Sequence, residues 1–259
     1  MSIYEHFRKE EHPFIDQVSD WKNTVEEEYR SKLSDFLDPR QQYIVSSIVG
    51  GNSSVSVMFE GGISTAERKR ALLYPDYVNP ATEDFELKAF ELDYPVKFVR
   101  IDHPQVLGSL IGLGLKREKF GDIITKGDKI QFVCASENAS YIEHQLTSIG
   151  KAKVSLFPIE LEDLVDKEES YIEKSTTVSS LRLDVIISEA YNLSRSKVKP
   201  FIQTDKVKVN WRIADDPSLI VEKGDMLSLR GKGRCQIESI EGETKKGKVR
   251  IILRYIGSG

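Results

Sequence analysis

The chain has 259 residues, 39% hydrophobic and 30% charged, with a formal net charge of −4 at pH 7. That balance excludes disordered and fibrous chains and leaves room for two or three domains of ordinary size. No apolar run approaches the roughly 18 residues of a membrane span and the first residues lack the apolar stretch of a secretory signal, so a cytoplasmic protein is expected.

Residues 1–80 mix helix and strand signals. Phe14, Ile15, Val18, Trp21, Val25, Tyr29 and Leu33 recur every three or four residues, and this spacing predicts one amphipathic helix from His12 to Leu37. A shorter helix follows, with Asp38 as cap, Pro39 at its first position and Gly50 or Gly51 as its stop. The stretch "VSVMFEGG" reads as a strand ending in a glycine turn. "STAERKRALLYP" (Ser64–Pro75) reads as a helix opened by a Ser64–Glu67 capping box. The expectation is a small α+β unit.

Residues 81–178 run strand, helix, strand, strand, helix, strand. The strands are "FELKAFELDYP", "DIITKG", "KIQFVCA" and "KVSLFPIEL"; the helices are "HPQVLGSLIGLG" and "ENASYIEHQLTSIG". That order predicts a ferredoxin-like plait, similar to RRM-type RNA-binding domains. Such sheets stack bases on exposed aromatics, for which Phe90, Tyr94 and Phe132 are candidates, although Phe132 between Gln131 and Val133 suits a core equally well. The carboxylate-rich "IELEDLVDKEESYIEK" reads as a solvated connector, with a domain boundary near Ser175–Ser180.

Charge then changes sign. Leu181–Gly259 carries 16 Lys+Arg against 10 Asp+Glu, a net of +6, leaving 21 basic and 31 acidic residues before it. Such segregation points residues 179–259 toward a polyanion. Leu183, Ile186, Ile187 and Ala190 form one helical stripe, and a second helix begins at Ser194, whose hydroxyl is expected to cap it. Ser194, Arg195, Ser196, Lys197 and Lys199 at a helix amino terminus suit a phosphate. Pro200 should bend or shorten that helix. Alternation then predicts a strand with Val207 and Val209 inward and Lys206, Lys208 and Asn210 outward; two lysines at that spacing match neighbouring phosphates. Arg182, Arg212, Arg230, Lys232 and Arg234 complete the candidate RNA-binding set. Two further basic groups, Arg68, Lys69 and Arg70, and Lys116, Arg117 and Lys119, offer secondary RNA contacts.

Several short motifs in this segment carry a resemblance: "RLD" at Arg182–Asp184, "SRS" at Ser194–Ser196, "FI" at Phe201–Ile202, "VKVN" at Val207–Asn210, "KGD" at Lys223–Asp225 and "LRGKGR" at Leu229–Arg234. Together they resemble the S-four RNA-binding module. Trp211 and Asp205 stand where turn glycines are common, which bears on two turn geometries. Across the whole chain, "IYEHFRKEEHPFIDQV", "FLDPRQQ", "FEGGISTAERKRALLYP", "LGSLIGLGLKREKFGDI" and "KVNW" are similar to the YlmH family. That resemblance implies an RNA-binding plait ahead of the module, and binding of ribosomal RNA and tRNA on the large ribosomal subunit during rescue of stalled nascent chains.

Catalytic signatures are sparse. Phosphate-loop, nucleophile-elbow and zinc-hydrolase motifs are absent, Gly112 and Gly114 lack a third glycine, and Cys134 and Cys235 form no C-x-x-C pair. No cofactor is implied. "RLD" resembles a tripeptide around the catalytic aspartate of pseudouridine synthases, but Asp184 falls in the first helix of the module, where pairing with a nearby basic residue is expected. A non-catalytic RNA-binding factor is the favoured reading; an RNA-modifying enzyme with an unrecognised active site is the alternative.

Overall fold

The computed structural model describes residues 4, 7, 9–50, 54–166, 171–244 and 247–256. Gly51 as a helix stop and residues 167–170 of the acidic connector lie outside them. The chain divides into two compact units, 1–168 and 169–259.

The first unit opens with helix α1, His12–Glu28. It does not run on to Leu37. Tyr29 takes a left-handed backbone at φ 56° and its N–H closes the helix on the Val25 carbonyl. The chain then enters strand β1, Lys32–Leu37, so the apparent helical spacing of Leu33 belongs to a different element. Helix α2, Pro39–Val49, keeps its expected start: Asp38 accepts the Gln41 N–H and Gln41 reaches back to the Asp38 N–H, each at 2.9 Å.

Strand β2, Val55–Glu60, is followed by β3, Lys69–Pro75, where a helix was expected. The Ser64–Glu67 pattern does not make a capping box. Instead the buried Asp122 carboxylate, far along the chain, accepts the Glu67 and Arg68 N–H groups at 2.9 and 3.1 Å. β3 sits between β1 and β2 in an antiparallel sheet. Ala71, Leu72 and Leu73 are buried in succession, as central-strand residues covered on both faces are.

The plait comprises β4 (Leu87–Asp93), α3 (His103–Gly112), β5 (Phe120–Lys126), β6 (Lys129–Ala135), α4 (Ser136–Gln145), a small β7–β8 hairpin (Ser148–Ile149, Ala152–Lys153) and β9 (Ser155–Ile159). Its antiparallel order β5-β6-β4-β9 is that of a ferredoxin-like sheet. The second helix is shorter than expected because Thr147–Gly150 enters the hairpin.

Both faces of this sheet are covered. Val106, Leu110 and Ile142 of the helices pack on Phe90, Phe132 and Cys134. On the other face Phe36 of β1 and Leu164 pack on Ala89, Ile124 and Val133. Phe90 and Phe132 are each 1% exposed, with ring centroids 5.6 Å apart. Neither ring is open to a base, which corrects the expectation of stacking for Phe90 and Phe132; Tyr94 is half-buried.

The second unit is a six-stranded sheet in the order β10-β15-β14-β13-β11-β12 with two helices. Its elements are β10 (Tyr171–Val178), α5 (Leu183–Ala190), α6 (Arg195–Gln203), β11 (Val207–Val209), β12 (Arg212–Ile213), β13 (Met226–Leu229), β14 (Gly233–Glu243) and β15 (Val249–Ile256). Tyr171–Val178 pairs along its length with β15, so the end of the expected connector, Tyr171–Lys174, and the start of the expected boundary region, Ser175–Val178, form one strand. Ile186, Ile187, Val198 and Ile202 of the helices meet Val207, Leu227, Leu229 and Ile237 of the sheet in one core.

Candidate nucleic-acid interface

The interface is built outward from Asp184, whose side chain is 0% exposed in the first turn of α5. Arg182, at the cap of α5, donates from Nε to its carboxylate at 3.1 Å, and Arg195, opening α6, donates from Nη2. Burial alone would raise the Asp184 carboxyl; the hydrogen bonds from Arg195 and Arg182 outweigh it and hold the group below the usual carboxylate range. The Leu183 and Asp184 N–H groups donate to the Leu219 and Pro217 carbonyls, closing the amino end of α5. Asp184 thus pairs with basic neighbours and fixes the two arginines.

Arg195 keeps about half its side chain in solvent. Beyond it Lys197 and Lys199 are exposed and make no ion pair among the described residues. Ser194 is the cap residue, yet its hydroxyl meets Ser196 Oγ at 2.9 Å rather than a helix N–H. The expected serine cap is not formed, and both hydroxyls lie on the exposed helix start. Pro200 lies inside α6, which continues only three residues past it, to Gln203.

Asp205 takes φ 56° after the helix, the left-handed conformation in which glycine is common. The Lys206 ammonium lies 5.6 Å from the Phe201 ring centroid, and the Lys206 carbonyl accepts the Arg230 N–H at 2.9 Å. That bond sets the exposed Arg230–Lys232 turn beside Lys206. Lys208, Ser228 and Arg234 are in register across β11, β13 and β14, on the side away from the core. The cations therefore divide between two faces: α6 carries one group, and Lys208 with Arg234 the other. Arg212 is exposed on the edge strand β12.

Asn210 and Trp211, both at positive φ (50° and 65°), form the two-residue hairpin loop that joins β11 to β12. Asn210 Nδ2 donates to Asp225 Oδ1 and its Oδ1 accepts the Met226 N–H, both at 2.8 Å. Its amide ties two turns together, a role hidden in the sequence until "VKVN" and "KGD" are adjacent in space. Trp211 bends as a glycine would, so the turn survives the substitution.

Residues 181–227 match the family model of the S4 domain, and residues 80–163 match the model "Putative RNA-binding domain in YlmH". The Ribosome-associated protein quality control protein P2 of Bacillus subtilis (strain 168) is 49% identical over 249 residues, covering 96% of each chain. The chain belongs to the YlmH family. A solved structure, the cell division protein ylmH from Streptococcus pneumoniae, is 31% identical with a TM-score of 0.55, covering 64% of this chain and 100% of that one.

The amino-terminal basic groups of this YlmH-family chain have internal partners. Arg70 is buried and donates to the carbonyls of Ser34 at 2.7 Å and Phe85 at 3.1 Å; Arg68 Nη2 donates to Phe36 O at 2.8 Å. Arg117 donates to Phe120 O at 2.6 Å, and burial, with Arg68 nearby, lowers its pKa to about 10. Lys119 bridges Asp35 at 2.7 Å and Glu137 at 3.2 Å. Lys69 reaches Ser64 O at 3.3 Å, while Lys116 is largely exposed, 3.7 Å from Glu118. Four of the six side chains therefore act as clamps within the first unit.

Among the described residues no cluster of three His, Cys, Asp or Glu side chains could hold a metal ion. Burial pushes the Cys134 and Cys235 thiols up to about 12 and about 11. No helix among the described residues is long and apolar enough to cross a membrane.

Proposed function

We propose that this chain is a non-catalytic, cytoplasmic RNA-binding factor that contacts ribosomal RNA and tRNA on the large ribosomal subunit in the rescue of stalled nascent chains. The observation that carries this reading is the exposed cation array around α6, with Arg195 held by buried Asp184 and Lys197 and Lys199 free of ion pairs among the described residues. Arg195, pre-set by its buried partner, loses little entropy on meeting phosphate, and cations at a helix start recognise backbone shape more than base sequence. The name of the Bacillus subtilis relative, a ribosome-associated quality control protein, supports the choice of target.

The test is co-sedimentation of the purified full chain with empty large subunits and with large subunits carrying a tRNA-linked nascent chain. The loaded particle should be preferred, and the preference should be lost in Lys197→Glu/Lys199→Glu. Comigration with neither particle, or a modified base produced by the purified protein, would move the assignment to an RNA-modifying enzyme.

A further inference from the structure

In the first unit, Phe98 is 87% exposed, more than any other large apolar side chain among the described residues. It sits on the Pro95–Arg100 turn between β4 and α3. The turn is held at its base: the Phe98 and Val99 N–H groups donate to the Pro95 carbonyl at 2.9 and 3.1 Å. Tyr94 and Val99 pack against the helix-side core, leaving Phe98 outside. Lys97 and Arg100 flank it, both exposed and without an ion pair among the described residues. The nearby carboxylate of Asp102 is engaged in capping α3, where it accepts the Gln105 N–H at 2.9 Å.

Tyr94 and Pro95 also form one wall of an open cleft of about 840 Å³, completed by Thr147, Ser148 and Lys153 and shared with the carboxylate of Asp93. An exposed aromatic ring on a hydrogen-bonded turn, two adjoining cations and a cleft lined by Thr147, Ser148 and Lys153 match the needs of an unpaired nucleotide: a π-face for the base, positive charge for phosphate and polar groups for base edges or ribose. The sheet's Phe90 and Phe132 cannot supply the π-face, because the helices bury both rings, and Phe157 of β9, at 55% exposed, is more covered than Phe98.

We infer that the plait binds a short single-stranded RNA segment at the Pro95–Arg100 turn, with one base stacked on Phe98, phosphates beside Lys97 and Arg100, and the neighbouring nucleotide in the cleft. This deepens the RNA-binding reading and rests on it for the class of ligand, but it uses residues wholly separate from the α6 array. An apolar protein partner is the competing occupant; the flanking cations favour RNA.

The test uses the full chain in a Lys197→Glu/Lys199→Glu background, which replaces two cations of the α6 array with anions. The probe is an unstructured oligouridylate carrying 4-thiouridine, followed by binding measurement and mapping of the crosslinked peptide. Crosslinks should fall on the Pro95–Arg100 turn, and Phe98→Ala should weaken binding about ten-fold, the scale of one lost base-stacking contact. Phe98→Tyr should restore it, and Tyr77→Ala, which removes an aromatic 68% exposed beside Asp76, should leave it unchanged. Equal affinity in Phe98→Ala, crosslinks elsewhere, or a Phe98-dependent protein complex with RNA binding unaffected would overturn the inference. Failure here with retained Lys197- and Lys199-dependent subunit binding would leave the α6 reading intact; the reverse pattern would remove that reading alone.

Discussion

Asp184 is fully buried, whereas Arg195, eleven residues later, pairs with it while keeping about half its side chain in solvent. A buried anion therefore orients a cation facing the proposed ligand. Simple charge counting expects Asp184→Asn to bind RNA more tightly, since it removes a negative charge. The geometry expects the opposite: weaker RNA binding as Arg182 and Arg195 lose their anchor, and a stability loss of about 1–2 kcal/mol, discounted for the exposure of both arginines. Urea denaturation and filter binding on the same variant separate the two.

The same pair sets a pH dependence. Its folded-state pKa lies below the ordinary value of 3.8, so its stabilisation is fully present above that value and is lost as pH falls through the folded one. Acid unfolding of the wild type should therefore include a contribution from this carboxylate below about pH 4. Asp184→Asn should lack that contribution, giving a shallower loss of stability in this range when followed by circular dichroism.

Asn210 and Asp225 give a sharper electrostatic test. Asn210→Asp replaces the amide donor 2.8 Å from the Asp225 carboxylate with a second carboxylate. At pH 7 the variant should lose about 2 kcal/mol through repulsion and a missing hydrogen bond. One carboxyl of such a pair has a raised pKa, so the gap from wild type should narrow on acidification as that group takes up a proton. Paired urea titrations at pH 7 and pH 4.5 check this.

At Trp211 the backbone strain is local. With φ at 65° and its ring outside the carboxy-terminal core cluster, Trp211 should be replaceable by glycine without loss, and with a gain of up to about 1 kcal/mol. Thermal unfolding measures it. A loss of 2 kcal/mol or more would mean that the indole carries packing energy unaccounted for by the fold.

What the sequence made legible, and what it hid, follows from these contacts. Pro39 with its Asp38–Gln41 box, the plait strands and the α5 stripe were readable because local chemistry and periodicity agreed with the tertiary result. The β1 and β3 strands were not. Leu33 mimics helical spacing across the Tyr29 break, and Ser64 with Glu67 mimics a capping box although the Glu67 N–H donates to Asp122, a residue 55 positions away. Basic runs read as RNA contacts include Arg70, buried against carbonyls of Ser34 and Phe85, because a one-dimensional charge pattern does not distinguish a solvated cation from an internal clamp.

Gly121 tests the covered face of the plait. A Cβ there would lie 2.8 Å from the Phe36 ring and 3.2 Å from the Val133 Cβ. Gly121→Ala should cost about 1–3 kcal/mol through overpacking. Phe36→Leu should recover part of that loss in the double variant, giving a favourable coupling energy in a double-mutant cycle followed by denaturant unfolding.

The central claim is that the α6 cations meet RNA phosphates, and the salt dependence of binding tests it most directly. Affinity of the full chain for tRNA-bearing large subunits is measured from low to moderate potassium chloride, for wild type, Lys197→Gln, Lys199→Gln and the double variant. Each lost phosphate contact should reduce the steepness of the log–log salt plot by about 0.7–0.9, so the double variant should be flatter than either single one. Wild-type binding indifferent to salt, or variants that weaken with unchanged steepness, would contradict the account.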